Sequence, residues 1–153
     1  MNYVRRVLQP GESVVHTTRI HPIIFLSAIV WFAAALLLMI AALSVSGDLR
    51  IGGEALAAFC AIFALASAIP ALIRRASTEL AVTDRRVIYK SGVLARHTLE
   101  MNRSKVESVD VDQSLLGRLC GFGTITVRGT GGSLEPIRMI GDPLTFRSHI
   151  TAG

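Results

Sequence analysis

Two stretches of the chain, 23–45 and 55–73, contain no charged side chain, and no other feature constrains the fold as strongly. The first is interrupted only by Ser27 and Ser44; as a helix it reaches about 35 Å, enough for a hydrocarbon core of roughly 30 Å. The second is shorter and richer in alanine, with Pro70 one turn before its end, where a kink is expected. Between them, 46–54 holds Gly47, Asp48, Arg50, Gly52, Gly53 and Glu54, the polar turn an antiparallel helical hairpin needs. Neither stretch carries a polar face at helical period, as the helix of a soluble bundle does. The 153 residues are 51% hydrophobic and 18% charged, so the composition divides into a lipid-grade hairpin and a modest water-soluble remainder. That remainder is too short for a large enzyme domain with its own cofactor cleft.

Basic residues orient the hairpin. Arg5, Arg6 and Arg19 precede the first stretch and Arg74 and Arg75 follow the second, whereas the turn sets Arg50 against Asp48 and Glu54. Lysine and arginine resist translocation, which predicts both termini in the cytoplasm and the turn outside. Much of the net charge of +5 lies in these flanks, beside anionic headgroups, so it needs no nucleic acid to explain it. A first apolar stretch of this length, starting after 22 residues, reads as a retained anchor and not a cleaved signal. Within the spans no acid, base or histidine offers an ion pathway. Ala57 with Ala61 and Ala64 with Ala68 stand at the small-residue spacing that lets helices approach closely.

After Arg75 the pattern alternates. The segments 78–82, 86–90, 93–100, 106–112, 123–128 and 134–140 read as six short strands separated by polar or glycine-rich turns. Connections this short exclude parallel crossovers, so an antiparallel meander curled into a partial barrel is expected. Residues 114–121 read as a short helix with Ser114 as N-cap and Gly121 as its stop. A closing helix is expected over 142–150, with Asp142 as cap, Pro143 at the first position, and Leu144, Phe146 and Ile150 facing the core.

The ordered run Thr83-Asp84-Arg85-Arg86, Ser91-Gly92, Gln113-Ser114-Leu115-Leu116-Gly117-Arg118-Leu119 and Gly121-Phe122-Gly123-Thr124 resembles the bacterial pleckstrin-homology-like (PH-like) membrane proteins, the YdbS-like family. Leu8-Gln9-Pro10-Gly11-Glu12 and His21-Pro22 ahead of the hairpin are similar to the segment leading into that family's spans. The resemblance implies an α+β membrane protein: a leading cytoplasmic segment (1–22), two transmembrane helices (23–45 and 55–73) joined by an external turn (46–54), and a cytoplasmic domain (76–153). That domain would be an antiparallel PH-like β-barrel of six to seven strands with a C-terminal helix, held at the inner face of a bacterial cytoplasmic membrane.

Chemistry-bearing residues are sparse. His16, His21, His97 and His149 are dispersed, Cys60 and Cys120 fall in different contexts, and no metal or cofactor is predicted. Asp110 and Asp112 read as the wet face of one strand, and the glycine-rich segments as a helix stop and a hairpin turn, with no phosphate cradle. No catalytic residue or small-molecule substrate is predicted. Few aromatics stand in the soluble part, so nucleic-acid binding is not expected. Binding is the better class. Arg74, Arg75, Arg85, Arg86 and Lys90 are candidates for contact with lipid headgroups. Leu115, Leu116, Arg118, Leu119 and Phe122 form the candidate surface for a protein partner or self-association. The expected function is a non-catalytic, membrane-anchored interaction or scaffold module. The alternative is a small subunit of a transport or envelope-stress complex in which the hairpin is the working part.

Overall fold

Side-chain size decides how the hairpin packs. A 3-10 turn over Pro22–Phe25 leads into α2 (Leu26–Leu43), and α3 follows over Asp48–Ser77. On α2 the buried residues are Ala28, Ala35 and Ala42; on α3 they include Ala57, Cys60, Ala64 and Ala71. Alanines recur every seventh residue on both helices, the repeat of a helical seam, and their small side chains allow close approach. Where the seam ends, a Cβ on Gly53 would stand 2.9 Å from that of Ala42. Leu37, Phe32 and Ile62 lie on the outside, each more than 60% exposed. Small inside and large outside inverts the arrangement of a soluble bundle, and both helices are long and apolar enough to cross a membrane. The turn is shorter than the sequence predicts. Only residues 44–47 separate the helices, with Gly47 in the left-handed region at φ 70°. Residues 48–54 are helical, with Asp48 in the first turn and an Arg50–Glu54 ion pair of 2.8 Å one turn apart. Ser67 stays inside α3 by donating its hydroxyl to the Phe63 carbonyl.

This computed structural model describes residues 2–92, 96–130, 132–133 and 136–152. They fall into two compact units, Pro22–Ile73 on the one hand and Met1–His21 with Arg74–Gly153 on the other. The second unit therefore takes in the segment that the sequence sets ahead of the spans. That segment supplies α1 (Asn2–Val7) and β1 (Val14–Thr18). After α3 come β2 (Glu79–Thr83), β3 (Arg86–Ser91), β4 (His97–Asn102) and β5 (Val106–Asp112). Then follow α4 (Leu115–Cys120), β6 (Phe122–Gly129), β7 (Gly132–Ser133), β8 (Ile137–Gly141) and α5 (Pro143–Thr151).

All strand pairs are antiparallel, but they do not close into a barrel. One sheet has the order β1-β2-β3-β4; the other runs β5-β6-β7, with β8 also on β6. Among the described residues eight strands replace the predicted six or seven, because β1 comes from ahead of the hairpin and β7 is a separate two-residue strand. Of the predicted strand segments, residues 93–95 and 134–135 lie outside the described residues. The core joins Leu80, Val82 and Val87 of the first sheet to Ile125, Val127, Ile137 and Ile140 of the second, with Phe146 and Ile150 of α5. Alternation fails on β2, where all five residues are buried. Leu80 and Val82 belong to the main core, while Ala81, with Ile88, packs on Val4 of α1.

At the ends of the helices, local chemistry decides. Glu79 accepts the Tyr3 and Val4 amides at 3.2 Å, placing a carboxylate at the N-terminus of α1. Arg103 Nη2 donates to the His149 and Ile150 carbonyls at the end of α5. Asp142 does not cap α5 with its side chain, because its backbone is left-handed at φ 47° and it donates its amide to the Gly121 carbonyl instead. Pro143 stands at the helix start as predicted, while Leu144, expected inside, is 55% exposed.

Candidate functional site

Two of the sequence motifs meet in one buried clasp. Glu12, in the turn between α1 and β1, accepts from Arg86 Nε (2.9 Å) and Nη2 (2.7 Å), from the Thr83 hydroxyl (2.7 Å) and from the Gln9 amide (2.8 Å). Arg86 also donates to the Val7 carbonyl and to Glu100. Its side chain is 12% exposed and that of Glu12 is 0%. The guanidinium beside Glu12 outweighs burial and holds its carboxyl at a pKa of about 2. Asp84 completes the clasp by accepting the Ser13 amide. Arg86, a candidate for headgroup contact by sequence, is thus engaged within the fold. Arg85 is exposed beyond it, and Lys90 is half-buried near the far end of β3. Lys90 lies five positions after Arg85, about 17 Å along the strand, so the structure does not gather them into one cluster. Arg74 and Arg75 lie in the last turns of α3.

The candidate contact surface is centred on α4. Ser114 accepts the Gly117 amide at 3.1 Å and Gly121 ends the helix at φ 75°, as the sequence predicts. Gly117 is buried where a Cβ would meet the Phe122 carbonyl at 2.6 Å, and Gln113 Nε2 donates to that carbonyl at 3.0 Å. The helix is therefore fastened through its backbone and caps. Its side chains point away: Leu115 is 84%, Leu116 65% and Leu119 83% exposed. Arg118, also exposed, lines a shallow groove with Leu144 and Thr145. Phe122 departs from the group; it is half-buried and stacks on His21 with 5.5 Å between ring centroids. Covering a leucine that now faces water is worth about 1.5–3 kcal/mol, so three on one short helix favour contact with something apolar.

Spacing conceals a histidine pair. His16 of β1 and His149 of α5 stack at 4.6 Å, with Phe146 beside His16. Burial, reinforced by the neighbouring His149, lowers the His16 pKa against an opposing pull from Asp142. The sequence places His149 on the closing helix but reads no element around His16, so nothing in it pairs the two rings. Asp110 lies 3.0 Å from Arg128 at an exposed sheet surface. Cys60 and Cys120 are free, and no cluster of metal-ligating side chains occurs among the described residues.

A family model described as the bacterial PH domain matches residues 22–152, spanning both apolar helices and the strands that follow. No curated protein and no solved structure matches the chain.

Proposed function

The chain belongs to the bacterial PH domain family, and from that premise we propose that it is a membrane-anchored interaction module on the cytoplasmic face of a bacterial inner membrane. It acts by contact and not by turnover. The observation that carries this reading is the pairing of β1 with β2, from Val14 opposite Thr83 to Thr18 opposite Leu80. These strands flank the hairpin in sequence, so both stand on one side of any bilayer and the hairpin crosses it an even number of times. The outward-facing large apolar side chains of α2 and α3 supply the lipid surface. Arg5, Arg6, Arg19, Arg74 and Arg75 flank the hairpin and favour the cytoplasmic side for the sheets. The buried polar groups Glu12, Arg86 and Thr83 are spent on the clasp, which supports a scaffold. The exposed leucines of α4 are the contact element.

Alkaline carbonate extraction of membranes, combined with a reporter fused after Gly153, tests this. The protein is expected in the pellet, with the reporter folded in the cytoplasm. Recovery in the supernatant without detergent, or an exported reporter, overturns the proposal. Pull-down from detergent with the hairpin replaced by an unrelated one adds a second discrimination: loss of a partner with the swap alone transfers the function to the spans.

A further inference from the structure

We propose that α4 is seated in the lipid–water boundary of the membrane that holds the hairpin. Leu115, Leu116 and Leu119 enter the upper acyl region, with Arg118 among the headgroup phosphates. This rests on the membrane-anchor reading above and names what the contact element touches.

The position of α4 along the chain carries the argument. Phe122, directly after its glycine stop, stacks on His21. The His21 amide donates to the Met139 carbonyl at 2.6 Å, Ile20 bridges Ile140, and the Gly141 amide donates to the Arg19 carbonyl. Residues 19–21 are thereby stitched to β8 and to the foot of α4, and the next residue, Pro22, opens the first apolar helical segment. Leu119 is three residues from Phe122, at most about 11 Å of chain. The polar layer outside the hydrocarbon is roughly 5–8 Å deep on each side, and interfacial helices sink about 5–10 Å. The leucines are tethered within reach of that layer.

Chemistry favours lipid over a protein groove. A standard protein interface covers about 800 Å² on each partner, more than a six-residue helix presents, whereas a wedge into lipid needs no complementary surface. Exposed Met139 and Leu144 widen the apolar face. Arg19, Arg118 and Arg138 are exposed around it, against the exposed acids Asp112 and Asp142. Basic side chains beside leucines suit an anionic headgroup layer.

The test uses the full chain in liposomes of phosphatidylglycerol and phosphatidylethanolamine. A nitroxide is attached in turn at Leu119→Cys, Leu37→Cys and Thr98→Cys, each with Cys60→Ala and Cys120→Ala. Collision with oxygen relative to a water-soluble nickel chelate is read by power saturation. The oxygen-to-nickel ratio at Leu119→Cys is expected several-fold above that at Thr98→Cys and on the side of Leu37→Cys. If Leu119→Cys matches Thr98→Cys while Leu37→Cys remains in lipid, the wedge is refuted and the anchor survives. Nickel access at Leu37→Cys removes the anchor and the wedge with it. A Leu119→Cys label shielded from both reagents means a protein covers α4, which also overturns the proposal.

Discussion

Arg86 Nη2 lies 2.7 Å from Glu12 Oε2 across 74 residues of sequence, with the whole hairpin between them. The pair fastens the turn ahead of β1 to the start of β3, and the two sequences that meet there are Pro10-Gly11-Glu12 and Thr83-Asp84-Arg85-Arg86.

Removing the cation from a fully covered carboxylate costs up to about 3–5 kcal/mol, so Arg86→Ala is expected to lose the most, while Glu12→Ala loses less because Arg86 keeps Glu100 and the Val7 carbonyl. The double variant should lose clearly less than the sum. Thermal unfolding of the solubilised chain as a double-mutant cycle checks this, and strict additivity would contradict the clasp.

The same carboxylate sets an acid limit. Its folded pKa is about 2 against 4.5 in the unfolded chain, chiefly through the Arg86 hydrogen bonds. Stability from this group is full above the unfolded value and declines as pH falls toward the folded one. Replacing Glu12 with Gln should flatten that part of the stability–pH curve, measured as unfolding midpoint against pH.

His16 acts nearer neutrality. Its folded pKa lies below 6.5, first through burial and then through His149, so the unfolded chain takes up the proton more readily. The folded state is favoured above the unfolded pKa, and that advantage is lost as pH falls toward the folded one. A fall in unfolding midpoint as pH drops below 6.5 is expected, and His16→Phe should reduce it. An unchanged fall in that variant counts against the pair.

The hairpin seam tolerates no bulk. Ala35→Leu is expected to cost about 1–3 kcal/mol by overpacking, while Leu37→Ala on the outer face should leave helix pairing nearly intact. Trp31, the sole tryptophan, packs on Phe63 at 5.3 Å. Its fluorescence during denaturation in detergent reports both variants.

At α4 the cap and the glycine have separable effects. Ser114→Ala removes the acceptor of the Gly117 amide and should cost about 1 kcal/mol. Gly117→Ala forces a methyl against the Phe122 carbonyl and should cost more. Amide hydrogen exchange over 114–121 measures both.

The hairpin was legible because a charge-free stretch has few physical solutions, whereas its ends were not. Composition places Asp48, Arg50 and Glu54 in a turn, yet charges spaced a helical turn apart equally suit a first helical turn. Ser114 and Gly121 were readable because capping is local. Asp142 was misread because its left-handed backbone withholds the side chain from the helix. The clasp and the His16–His149 stack join residues distant in sequence, so no spacing announces them. β1 escaped notice as five residues whose partner strand, β2, lies beyond both apolar helices. The barrel was expected from edge protection and from the family resemblance, but core contacts between two open sheets and α5 cover the inner faces without continuous hydrogen bonding.

Because β1 leaves the ribosome long before β2 exists, it must wait through synthesis of the whole hairpin for its neighbour. In a bilayer, a nascent chain that threads only one helix strands the two halves of the first sheet in different compartments, and no later rearrangement on either side can unite them. Completion of that sheet thus demands that the two helices be threaded together or not at all, and a copy with a single helix threaded is left with raw strand edges.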